Sequence, residues 1–131
     1  MSREDVEVVR RLYEGFAQGK LWDAAPLLDQ DIVLRRFGGL PGVWRGLDAF
    51  TAGIVEYIEA FDNLRIEGEE FVDLGGGRVL VYARHRGTGR DSGLPFDQEL
   101  GDVLTLREGR IVTWMAYWDR AEALEAVGLR E

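Results

Sequence analysis

The chain has 131 residues, and its 46% apolar content with four Trp, four Tyr and six Phe excludes disordered and fibrous classes, so residues 1–131 are expected to form one folded domain. A formal net charge of −8 repels phosphate backbones and anionic lipid headgroups, so neither a nucleic-acid nor a membrane partner is expected. With no cysteine there is no disulfide framework, thiol nucleophile or thiolate metal site; the charged start Met1-Ser2-Arg3-Glu4-Asp5 lacks a signal peptide's apolar stretch, so the cytoplasm is the expected compartment.

Val6, Val9, Tyr13 and Phe16 recur at helical spacing and Gly19 stands where a helix would end, which predicts a helix over about residues 3–18. Leu21, Ala24, Ala25, Leu27 and Leu28 continue as a short second helix with Pro26 in its first turns, ending near Asp29-Gln30-Asp31. Residues 32–37 read as a short strand, and Gly38-Gly39-Leu40-Pro41-Gly42 as a loop. Phe50, Ile54, Tyr57, Ile58 and Phe61 then share one stripe, predicting a third helix that starts just after Gly46.

From Asn63 the period becomes two, with Leu64, Ile66 and Gly68 alternating with Arg65, Glu67 and Glu69. Turns at Gly75-Gly76-Gly77, at 87–95 and at Glu108-Gly109 separate further strands over 78–86, 96–106 and 111–118. Asp119 with Glu122 caps a last short helix, which Gly128 closes. Helices followed by a long meander read as an α+β fold: a cone-shaped, strongly curved antiparallel sheet wrapped around the N-terminal helices, with an interior pocket.

Asp102 lies between Gly101 and Val103, ahead of an apolar run to Leu106, so on the pocket face it would be desolvated and its carboxyl pKa raised, as suits a proton donor or acceptor. His85 is the only imidazole. Folding the hairpin about Arg90 and Asp91 pairs Leu80 with Asp102 and His85 with a residue near Asp97, about 16 Å along the sheet, so a direct His85–Asp102 dyad is not expected. Of the tandem Arg35 and Arg36, alternation turns one inward, and Arg36 there would bind a carboxylate or enolate. Trp44, Tyr57, Trp114 and Trp118 are the aromatic candidates for the pocket wall, while Asp119 is read as a helix cap.

Gly87-Thr88-Gly89 and Gly75-Gly76-Gly77 join antiparallel strands and lack a nucleotide cradle's context; Ser92 has no nucleophile-elbow setting. Glu67, Glu69 and Glu70 lack metal-ligand spacing, so no metal and no cofactor are expected.

The segments 8–16 with Gly19, Trp44-Arg45-Gly46, 104–112 and 117–124 together resemble the SnoaL-like branch of the nuclear transport factor 2-like superfamily over nearly the whole chain. The resemblance implies a cone with a pocket and frequent homodimers, in a superfamily of isomerases, polyketide cyclases, epoxide hydrolases, dehydratases and non-catalytic members. By similarity to the ketosteroid isomerases, Asp102 stands at the acid of their third long strand. Their general-base carboxylate falls at Arg36 and their phenol near Leu12, both departures from the isomerase pattern. Arg84, Arg86 and Asp102 offer residue types of the epoxide hydrolases' Asp-Arg-Asp set, without a second Asp across from them.

The expectation is therefore a protein with a pocket for a hydrophobic small molecule. It either performs acid–base chemistry without a cofactor, as an isomerase, cyclase or hydrolase would, or only binds its ligand. Asp102 is the catalytic candidate; Arg36, Trp44, Tyr57, His85, Trp114 and Trp118 are the ligand contacts. The alternative is a dimeric interaction protein whose cone is filled by its own side chains. A homodimer is expected in either case, from Met115 and Tyr117 on the convex face.

Overall fold

Helical and strand periods divide the chain where the hydrophobic pattern changes, and a computed structural model describes residues 2–129. Helix α1 (Ser2–Ala17) is followed by a 3₁₀ segment (Leu21–Leu27), strands β1 (Leu28–Phe37) and β2 (Gly42–Arg45), and helix α2 (Leu47–Glu59). Strands β3 (Phe61–Gly75), β4 (Arg78–Gly89), β5 (Pro95–Arg107) and β6 (Arg110–Tyr117) lead into the short helix α3 (Arg120–Ala126). On α1 the stripe Val9, Leu12 and Tyr13 is buried while Arg10, Arg11 and Glu14 face water, which fixes the helix on the sheet by its apolar side.

One curled sheet has the order β2-β1-β6-β5-β4-β3. The meander β3 to β6 is antiparallel as expected, but β1 lies parallel to β6, so the sheet is mixed. Three local expectations are corrected. Phe61, expected on the stripe of the third helix, lies past its end at Glu59 and opens β3. Residues 28–31 belong to β1, because Leu28 pairs with Ile111 and is buried with Ile32 on either side of a bulge. Gly42, expected in the loop, and residues 43–45, left unassigned by pattern, add an antiparallel edge strand beside β1.

The turn between β4 and β5 closes through Gly89 N–H to Leu94 O (2.9 Å) and Gly93 N–H to Gly89 O (2.8 Å). Its register pairs Val81 with Asp102 and His85 with Gln98, one residue from the expected pairing. Because side-chain direction alternates along a strand, that single step puts His85 and Asp102 on the same face.

The main core fills the space between the helices and the concave face, with Phe50, Ile32, Leu104 and Val79 fully buried. A smaller core lies under α3 on the convex face, where Ala123 and Leu124 pack with Leu80 and Val103. A Cβ at Gly101 would overlap Ala123, so glycine there permits this close approach. Asp119 caps α3 by accepting from the Ala121 N–H at 2.8 Å, as the sequence pattern predicts. Met115 and Tyr117 are only half-exposed because they pack against this second cluster. Among the described residues no helix is long and apolar enough to cross a membrane.

Candidate functional site

Three strands contribute one transverse row: Arg36 on β1 pairs with Ala116 on β6, which pairs with Asp102 on β5. Two strand spacings place the outer Cα atoms about 10 Å apart. All three line a cavity between the helices and the concave face. Its empty space, counted out to the open mouth, is about 510 Å³. Phe16, Ile54, Ile66 and Leu100 make most of its remaining wall apolar.

Asp102 is 2% exposed and its Oδ2 accepts the hydroxyl of Tyr13, a residue of α1 that sits behind it. Burial raises the Asp102 carboxyl to about 6, outweighing the Tyr13 hydrogen bond, the nearby Trp114 indole and the Arg36 charge, all of which favour the carboxylate. The Trp114 Nε1–H itself is buried and lies outside hydrogen-bonding geometry. Burial and the Asp102 charge push the Tyr13 phenol well above its ordinary value, so it stays a donor.

A second polar pair lines the same cavity. Tyr57 O–H and His85 Nδ1 lie 2.7 Å apart. Burial, then the Arg36 charge, lowers His85 to about 3, while burial raises the Tyr57 phenol. The phenol therefore donates, Nδ1 accepts, and the neutral imidazole carries its proton on Nε2. Arg36 lies against Tyr57, its Cζ 4.8 Å from that ring centre and 4.6 Å from the ring of Trp44. Its Nη2 donates to the Gly53 carbonyl at 2.9 Å, whereas its Nη1 is buried without a partner. A Cβ on Gly53 would come within 2.9 Å of the Trp44 ring, so this glycine admits the stacked indole and supplies the carbonyl at once.

The structure thus brings Asp102, Arg36, Tyr57, His85, Trp114 and Trp118 to one cavity. Trp44 is the exception: it stands behind Arg36 rather than on the wall, because β2 carries it to the sheet edge over Gly53. His85 and Asp102 share the cavity but form no hydrogen bond, their cross-strand pairs lying four residues apart. The expected departure at Leu12, where no phenol was read, is corrected: Tyr13, one residue on, puts a phenol against Asp102, and Leu12 itself is core. Tyr13 counted only as part of the apolar stripe in the sequence, since periodicity does not report what a phenol's polar tip reaches.

Arg84 and Arg86 play no part in the cavity. Arg84 holds Asp97 through two hydrogen bonds of 2.8 and 2.7 Å, and Arg86 pairs with Glu67. Glu69 is paired with Arg120 at 3.0 Å. Among the described residues no cluster of His, Asp and Glu has the proximity to hold a metal ion.

Residues 9–114 match the SnoaL-like domain family, and the chain belongs to it. The fold is similar to that of an NTF2-like protein of unknown function from Burkholderia pseudomallei, with 25% identity, 95% of this chain and 98% of that one covered, and a TM-score of 0.78. A candidate SnoaL-like polyketide cyclase from Jannaschia sp. CCS1 has 20% identity, coverage of 98% and 94%, and a TM-score of 0.78. TerC, co-crystallised with polyporic acid, has 18% identity, coverage of 95% and 98%, and a TM-score of 0.77. No curated protein matches the sequence.

Proposed function

We propose that the protein is a cofactor-independent acid–base enzyme acting on a hydrophobic carbonyl-containing small molecule, with Asp102 as the group that takes and returns a proton. The observation that carries this reading is the position of Asp102: a buried carboxyl on an apolar cavity wall, one oxygen engaged by Tyr13 and proton affinity raised to about 6. Near neutral pH such a group populates both forms, the condition under which one carboxyl serves as base in one step and acid in the next. The Tyr13 bond to Oδ2 orients the group and leaves Oδ1 for the substrate. As carboxylate, Asp102 would take a proton from the carbon beside a carbonyl, the electron pair passing to the carbonyl oxygen. The neutral acid would then return that proton elsewhere on the conjugated system.

Arg36 occupies the strand position of the ketosteroid isomerases' base, so the steroid scheme with its separate base does not transfer. Cyclisation or isomerisation of a polyketide-like compound through one carboxyl agrees better with the residues present. The description of the Jannaschia protein as a candidate polyketide cyclase and the co-crystallisation of TerC with polyporic acid are consistent with such a substrate class.

Two other readings are a binder without turnover and a cone filled by its own side chains, the latter favoured by how closely Phe16, Leu34, Ile54, Ile66 and Trp114 crowd the cavity. Native mass spectrometry of the purified protein identifies any compound it carries. Turnover of that compound by the wild type and not by Asp102→Asn supports the enzyme, and equal turnover by both contradicts it. Retention without turnover in either supports the binder, and a protein that carries and accepts no small molecule supports the filled cone.

The net charge of −8 supports the absence of nucleic-acid and membrane partners. Pairing of two copies is supported by the convex-face stack of Phe37 on Tyr117, 4.6 Å between ring centres, beside exposed Val43. Light scattering would then give twice the 14.8 kDa chain mass, and a 14.8 kDa particle would contradict it.

A further inference from the structure

We propose that the ligand of this cavity is an anion whose carboxylate or enolate oxygen sits on Nη1 of Arg36; this rests on reading the cavity as a small-molecule site. Arg36 is the one arginine in the buried class among the described residues, at 9% exposure. The more exposed Arg84, Arg86, Arg90 and Arg120 each have a carboxylate within ion-pair distance, and Arg36 has none. A buried cation is ordinarily paired, because its desolvation must be offset by an opposite charge or by a full set of acceptors.

Its surroundings supply neither in full: the exposed Glu56 of α2 acts on it only from beyond ion-pair distance. Nη2 reaches only the Gly53 carbonyl, and Trp44 and Tyr57 lie against the guanidinium. The adjoining Tyr57–His85 pair is committed to one neutral hydrogen bond and brings no negative charge. Asp102 carries the nearest cavity carboxyl, but it stands two strands away, is bonded to Tyr13, and forms no ion pair with Arg36. What lies between them is Ala116, whose single methyl group leaves the row open.

A ligand bridging this row would place its anionic oxygen on the guanidinium and its neighbouring carbon beside Asp102, with its apolar body against Trp114 and Trp118. Arginine suits this task, since its fork binds planar oxyanions, and an anion seated on it would offset the burial that lowers its own proton affinity. The arrangement also explains why a charge stands where a neutral side chain would have packed more cheaply.

The test uses 2-naphthoate and its neutral analogue 2-naphthamide, titrated at pH 7.5 against tryptophan fluorescence of the wild type and of Arg36→Met. The wild type is expected to bind the carboxylate at least about tenfold more tightly than the amide. Arg36→Met should lose that preference while still binding the amide. Equal affinities in the wild type, or a preference that survives in a folded Arg36→Met, overturn the anion site alone. If neither probe binds any protein, the small-molecule reading fails with it. The wild-type comparison stands by itself should Arg36→Met not fold.

Discussion

Arg36 and Asp102 occupy one transverse row of the sheet with only Ala116 between them. The row sets a buried guanidinium and a buried carboxyl at opposite ends of a gap lined by a methyl group, close enough for one small molecule to touch both. Neither charge neutralises the other by direct contact, which leaves each available to a ligand.

Ala116 should therefore be as important to binding as the polar residues. Ala116→Leu puts a branched side chain into the gap without altering Arg36, Asp102 or Tyr13. Affinity for 2-naphthoate should fall at least about tenfold, while overpacking costs no more than about 1–3 kcal/mol in urea unfolding. Unchanged affinity would mean that ligands do not use this row.

Removing the phenol behind Asp102 should raise its proton affinity further, because the Tyr13 hydrogen bond favours the carboxylate. In Tyr13→Phe the acid limb of the pH–rate profile should move to higher pH, with about 1–3 kcal/mol of stability lost as a buried acceptor goes unpaired. A profile that stays in place would show that Tyr13 serves packing only.

Two buried groups give opposite pH dependences of stability. The Asp102 carboxyl is raised from 3.8 to about 6, so its contribution is fully present below pH 3.8 and is lost as pH rises through about 6. His85 is lowered from 6.5 to about 3, so its contribution is present above pH 6.5 and is lost as pH falls toward about 3. Between about pH 4 and 6 the two slopes oppose each other. Relative to the wild type on acidification across that window, Asp102→Asn should lose about 2–3 kcal/mol and His85→Gln should gain a similar amount. Denaturant unfolding at pH 4, 5 and 6 checks this, and parallel curves for all three proteins would refute it.

The long elements were legible because their periods are long enough to average out exceptions. The stripe from Phe50 to Ile58 gives α2, and alternation after Asn63 gives the meander. Asp102 was visible because it stands between Gly101 and Val103, at the head of the mostly apolar run to Leu106. The parallel pairing of β1 with β6 was not visible, since it joins segments some eighty residues apart that carry no local mark of each other. The His85–Asp102 geometry depended on one residue of register in the 89–94 turn, which the composition of that glycine-rich segment does not determine. Trp44 was misplaced for a related reason: a four-residue edge strand is too short for alternation to show which side its aromatic takes.

Acid–base chemistry in this cavity requires that the Asp102 carboxyl exchange a proton near neutral pH. Its most direct test is a ¹³C NMR titration of the side-chain carboxyls, with the Asp102 resonance assigned by its loss in Asp102→Asn. An apparent pKa of about 6 is the expected result, and a midpoint in the ordinary carboxylate range near 3.8 would contradict the account.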